Sequence, residues 1–380
     1  MALKSVLVLT AAFGEGHNAA ARNLAAALRE AGVEVEVHDI FAEAYGWVNS
    51  LVRTVYLHII NHVPMLWSAV FFVLDRTAVV GGGIGVFGRA ARLLGRTISR
   101  LKPDVIVSTY PGYGHLLDLI HRRGEVGDAR LITVVTDSLT VNSVWFRCGS
   151  DFFLVPNDAT GEVMRQAGVP VEKIRVTGFP VPLVFAERQP ERDGPPYEVL
   201  FMVNSAHHLA ADVVAALIPI DGVHLTVTVG HDAELRKRLE RIAETAGKPI
   251  EIHGWTPEIP NLIRRSHLLI SKAGGATVQE ALAAKTPMLI TQIVPGQEEG
   301  NARLLIESGA GELATTPPAI AAAVRRTFAD GGRLYRERLA ATAPLSHPDA
   351  ARTAAAFLES LSSNKPGKSS EISRQGRRAH

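Results

Sequence analysis

Apolar residues along this chain fall into short, mostly unbroken runs, each followed by a stretch of helical character. The runs at residues 6–10, 104–108, 131–135, 152–155 and 174–177 are rich in Val, Ile, Leu and Phe. Strands covered on both faces read this way, as in a parallel sheet between helices. After the first run comes the loop Ala-Ala-Phe-Gly-Glu-Gly-His-Asn, then an alanine-rich helix predicted at 19–31, with Gly32 as its C-cap and a further strand at 33–39. A second series of runs stands at 199–202, 225–229, 250–253, 268–271 and 287–290, again alternating with helical segments. Strand, helix and strand in this order predict an α/β chain with two doubly wound parallel sheets. Between the two series lie residues 186–196, AERQPERDGPP, polar and proline-rich like a linker. The division is therefore residues 1–185 and 197–345, with an alanine-rich final helix at 346–361. Beyond it, residues 362–380 carry Lys365, Lys368, Arg374, Arg377 and Arg378 against Glu371, a composition that predicts a disordered basic tail.

Residues 47–74 break the alternation. Trp47, Tyr56, Trp67, Phe71 and Phe72 crowd into them. The apolar run at 63–74 is shorter than the roughly 20 residues a spanning helix needs. Glycines then lead into a helix predicted at about 87–102. Arg89, Arg92, Arg96 and Arg100 recur on it at steps of three and four, which is one helical face. Phe87, Ala91, Leu94, Ile98 and Leu101 take the opposite face. Alone, this helix reads as a solvated helix on a core. With the aromatic insert before it, including Trp67 and Phe71, it reads as a surface facing an anionic membrane.

Composition narrows the classes. The chain has 380 residues, more than one core usually holds, and a net charge of only +2, so no nucleic-acid partner is expected. A single cysteine, Cys148, excludes an internal disulfide and a cysteine zinc cluster, and fits a reducing cytoplasm. The first residues lack the length and cleavage pattern of a signal peptide.

The chemistry concentrates in residues 271–311. Gly274 and Gly275 follow the run at 268–271 and precede a helix predicted to start at Thr277. A glycine pair at such a turn offers bare amides and a helix N-terminus to an anion, most often a phosphate. Glu280, one turn on, can accept two hydrogen bonds from a ribose diol. After the next strand come Pro295-Gly296 and then Gln297, Glu298, Glu299 and Asn301, a group suited to a hydroxyl-rich ligand. In the first half, His17 stands at a helix N-terminus, where the helix dipole favours the neutral imidazole. It can deprotonate a hydroxyl there, or simply cap the helix or touch a phosphate; the first reading is adopted.

Gly-Gly-x-Thr-x-x-Glu-Ala followed by Pro-Gly-Gln-Glu-x-Gly-Asn resembles the monogalactosyldiacylglycerol (MGDG) synthase and processive diacylglycerol glycosyltransferase group. More distantly it resembles the MurG-type N-acetylglucosaminyltransferases. The Gly-x-Gly-His loop, Thr-Asp at 136–137 with Trp-Phe at 145–146, and Gly-Phe-Pro-Val at 178–181 carry the likeness into the first half. The resemblance implies a GT-B fold: two Rossmann-like domains, a cleft between them, and a last helix that crosses back to the first domain. It implies inverting transfer of glucose or galactose from a UDP-sugar to diacylglycerol, by a protein peripherally attached to the membrane. Gly14 and Gly16 would join Gly274 and Gly275 at the diphosphate, so neither metal nor cofactor is expected. Trp255 and Thr256 would flank the uracil, and Ser205 would reach the diphosphate from a loop without its usual glycines. Asp137 would orient His17 or serve as the base itself; a loop-capping aspartate is the plainer alternative. Other lipid or polyprenol acceptors, a UDP-sugar epimerase and a silent nucleotide-sugar-binding protein are the competing readings.

Overall fold

The structure is a computed structural model, and it describes residues 3–49, 51, 54, 84–122, 124, 126–192, 194–204, 209–294 and 298–363. Of the tail predicted at 362–380, residues 362 and 363 complete the last helix, and 364–380 lie outside the described residues.

The first sheet holds β1 (Ser5–Leu9), β2 (Glu34–His38), β3 (Val105–Ser108), β4 (Arg130–Val134), β5 (Phe152–Val155) and β6 (Ile174–Val176). Their order is β2-β1-β3-β4-β5-β6, with every pairing parallel. Central β1 buries Val6, Leu7, Val8 and Leu9 completely, because helices cover both faces. Edge β2 instead exposes Glu34 and Glu36, charges that discourage pairing with another chain. The helices are α1 (Glu15–Glu30), α2 (Ile40–Tyr45), α3 (Ile84–Leu101), α4 (Pro111–His121) and α5 (Asp158–Gln166). Helix α1 begins at Glu15, not at residue 19, because Gly14 serves as its N-cap. That shift places His17 inside the first turn.

The second sheet holds β7 (Tyr197–Met202), β8 (Val223–Thr228), β9 (Glu251–His253), β10 (Leu268–Ser271), β11 (Met288–Ile290) and β12 (Gly311–Leu313), in the order β12-β11-β10-β7-β8-β9. Strand β12 is too short to show as an apolar run. Helices α6 (Ala210–Leu217), α7 (Ala233–Ala246), α8 (Ile259–Arg265), α9 (Gly275–Ala283), α10 (Glu299–Glu307) and α11 (Pro317–Thr342) surround this sheet. The final α12 (Ala350–Ser363) leaves it, and buries Ala351, Ala354, Ala355 and Leu358 with Leu24 and Leu28 of α1. Gly178 permits that crossing: its φ is +82°, and a Cβ there would lie 2.6 Å from Ala350 Cβ. The polar segment at 186–196 is anchored by Arg192, which donates to Ser266 O, Thr286 Oγ1 and Ala284 O at 2.7–2.9 Å.

Strand order reverses direction between β1 and β3 in one sheet, and between β7 and β10 in the other. A crevice opens at the carboxyl ends of the strands at such a point. The loop after β1 carries Gly14, Gly16 and His17, and the loop after β10 carries Lys272, Gly274 and Gly275. The two crevices face each other.

Candidate active site

Two helix N-termini meet across the cleft. Helix α9 starts at Gly275 with Gly274 as its N-cap, so Thr277 sits in its first turn and does not open it, as the sequence had suggested. A Cβ on Gly16, in the first turn of α1, would stand 3.8 Å from the Ala276 amide nitrogen. Unpaired amides and the positive ends of both dipoles therefore converge on one place.

His17 lies there, half-buried, with Nδ1 3.0 Å from Thr136 Oγ1. The Tyr110 ring stands edge-on at 5.2 Å and the Trp145 ring tilts at 5.8 Å. Burial pushes the imidazole pKa down to about 4, against a smaller opposing effect of a backbone hydrogen bond at Thr109. The ring is neutral at pH 7. Asp137 accepts from Trp145 Nε1 at 2.7 Å, and burial holds it up at about 6. This corrects one expectation: the side chain that holds the imidazole is Thr136, and Asp137 is committed to Trp145.

On the other wall, Glu280 is half-buried, and burial raises it to about 7 while Arg22 of α1 pulls it down less strongly. Glu298, expected on the sugar, already has partners within the protein. It is buried, Lys272 Nζ donates to its Oε1, and the Val294 amide donates to Oε2 at 3.0 Å. Its carboxylate ties Lys272, after β10, to Val294, after β11. Glu299 is exposed at the start of α10, away from the buried cluster. Asn301 is buried, donates from Nδ2 to Ala273 O at 3.2 Å, and has no partner for Oδ1 among the described residues. Trp255 is exposed and stacks on His231 at 6.1 Å, while Thr256 Oγ1 accepts from the Glu258 amide at 3.1 Å. Ser205, Gly296, Gln297, Trp67 and Phe71 lie outside the described residues.

Arg89, Arg92 and Arg96 are exposed on α3, and Ala91, Leu94 and Ile98 are buried beneath it. Arg100 departs from that set, because its guanidinium grips Glu36 of β2 with contacts of 2.9 and 3.3 Å. Trp47, Val48 and Leu51 are exposed after α2.

Lys272 and Gln279 escape a reading of motifs, and Thr136 entered it only as Asp137's neighbour. Gln279 Nε2 donates to Ser138 Oγ at 3.1 Å across the cleft, with both residues buried. A lysine directly after a strand and before a glycine pair was the available signal for Lys272.

Facing Rossmann-like domains, with helix N-termini converging beside a neutral imidazole, define the GT-B class, and the chain is a glycosyltransferase of it. Family models agree: that of monogalactosyldiacylglycerol (MGDG) synthase matches residues 17–181, and that of glycosyl transferases group 1 matches residues 200–330. The chain is thus similar to the MGDG synthase family in its first half and to the group 1 glycosyl transferases in its second. It is 26% identical over 321 residues to the processive diacylglycerol beta-glucosyltransferase of Bacillus cytotoxicus, covering 80% of each chain. The protein of that name from Bacillus cereus is 26% identical over 318 residues, again covering 80% of each. Among solved structures, Acinetobacter baumannii MurG superposes with a TM-score of 0.64 at 15% identity, covering 94% of this chain and 99% of that one. A UDP-GlcNAc 2-epimerase from Neisseria meningitidis bound to UDP-GlcNAc reaches 0.56 at 12% identity, covering 95% and 100%.

Proposed function

We propose that this protein moves glucose or galactose from a UDP-sugar to the hydroxyl of diacylglycerol, with inversion at the anomeric carbon. The observation that carries this reading is the meeting of α1 and α9 N-termini beside a neutral His17. An acceptor hydroxyl oxygen attacks C1 of the sugar as its proton passes to the imidazole. The C1–oxygen bond to the diphosphate breaks, and UDP leaves with the electron pair. Charge growing on the diphosphate meets the amides at Gly14–Gly16 and Gly274–Gly275, together with Lys272. No step of this scheme requires a metal. Glu280 takes the ribose diol, and Asn301 Oδ1, a buried acceptor with no partner among the described residues, suits a hexose hydroxyl. Epimerases share the fold, but the match of residues 17–181 to the MGDG synthase model favours transfer to a lipid. Appearance of sugar label in extractable lipid is the test.

A diacylglycerol acceptor stays in its bilayer, so the cleft must come to the surface. No helix among the described residues is long and apolar enough to cross a membrane. Arg89, Arg92 and Arg96 would meet anionic headgroups, and Trp47, Val48 and Leu51 would enter beneath them. Each arginine contributes about 1 kcal/mol near an anionic surface. Arg92→Glu combined with Arg96→Glu should abolish sedimentation with anionic vesicles at low salt. Trp47→Ala should remove the binding that survives high salt. Unchanged sedimentation of the double variant would place the docking surface elsewhere.

A further inference from the structure

The loop after β4 belongs to the first domain but is gripped by the second. Thr136 is buried there with its hydroxyl on His17 Nδ1. Two residues on, Ser138 Oγ accepts from Gln279 of α9. Leu139 then adopts a φ of +57°, a left-handed conformation unfavourable for a side chain of its kind, and packs partly buried against the apolar cluster built largely from α8, α9 and α10. The Thr140 amide donates back to Ser138 O at 2.6 Å and closes the turn. Gly300, in the first turn of α10, lies flush against this turn. A Cβ on it would fall 1.9 Å from Ser138 O and 2.5 Å from Thr140 Oγ1. The Thr136 carbonyl also faces α9, 3.4 Å from where a Cβ on Gly275 would stand. A strained turn persists only where its surroundings over-determine it, and these surroundings are the N-terminal parts of the two helices that carry the donor-side residues.

We propose that Thr136 is a positioning residue that sets the tautomer of His17, and that the donor domain holds Thr136 in place through the Ser138–Thr140 turn. In the tautomer proposed, Nδ1–H donates to Thr136 Oγ1 and Nε2 is the acceptor for the substrate's proton. Residues of one domain thereby prepare the base carried by the other, and docking of the two domains is coupled to basicity. This rests on His17 being the base of the transfer proposed above.

The experiment uses the full chain with Thr136→Val, Thr136→Ser, Gly300→Ala and the Thr136→Val/Gly300→Ala pair. Thr136→Val should lower kcat about tenfold, a part of what a positioned base contributes, with the KM for the UDP-sugar unchanged. Thr136→Ser should restore it. Gly300→Ala should lower kcat similarly, and the pair should do no worse than the weaker single variant, because both remove one interaction. A second readout is free of turnover: ¹⁵N shifts of labelled histidine, with His17 assigned through His17→Gln. Wild type should show the Nδ1–H tautomer, and Gly300→Ala a mixture. Should Gly300→Ala fail to fold, Gln279→Met interrupts the same contact and should shift the tautomer in the same way. Wild-type kcat in Thr136→Val, multiplied losses in the pair, or an unchanged tautomer in the Gly300 or Gln279 variant would overturn the proposal. Absence of any lipid product from wild-type protein would sink the proposed function instead, and the tautomer reading would still decide this one.

Discussion

His17→Ala should reduce turnover by roughly 10²–10⁴-fold, the usual contribution of a positioned general base, while UDP binding changes little. The imidazole is placed by the first turn of α1, kept neutral by burial, and hydrogen-bonded through Nδ1 to Thr136. Its pH dependence separates it from the rival carboxylate. A base is lost as pH falls through its pKa. With His17 at about 4, activity should hold down to about pH 5 and then fall. If Asp137 were the base, the fall would centre near 6, where burial holds that carboxyl. A profile of kcat/KM between pH 4 and 8 reads the difference. An acid limb near 6, with Asp137→Asn far more damaging than His17→Ala, would move the base to Asp137.

Glu280→Ala should weaken UDP binding by about 1–3 kcal/mol, the cost of losing charge-assisted hydrogen bonds to a diol. The pH dependence follows from its environment. Burial raises this carboxyl to about 7, so near neutrality it is divided between acid and carboxylate. A diol donates to the carboxylate, so UDP affinity should rise as pH rises through 7. Glu280→Gln should lose that rise, and the comparison removes the titration of UDP itself. Calorimetry across pH 6–8 makes the measurement. Equal affinity in wild type and Glu280→Ala would take the ribose away from this residue.

Runs of apolar residues revealed the strands because β1 and β10 are buried on both faces and need no polar alternation. The Gly-x-Gly-His loop was legible for a related reason: a glycine between a buried strand and a helix leaves few structural options. What could not be read was side-chain direction set by distant partners. Thr136 meets His17 from 119 residues away. Glu298 pairs with Lys272, 26 residues earlier. Arg100 left its helical face for Glu36, 64 residues earlier on a neighbouring strand. Helical spacing shows which residues share a face, but an ion pair depends on which elements the topology brings together. Gly300 is the extreme case. In sequence it is one glycine among several near a loop, and only the approach of Ser138 O shows why no side chain fits.

One assay tests sugar transfer to a membrane lipid directly. Purified protein is incubated with labelled UDP-glucose or UDP-galactose and vesicles containing diacylglycerol and anionic lipid, and the lipids are then extracted. Label should enter the organic phase with one of the two donors, as a β-linked hexosyl diacylglycerol, and only when diacylglycerol is present. Label that stays in the aqueous phase with both donors, or that returns as an epimerised UDP-sugar, would contradict the account.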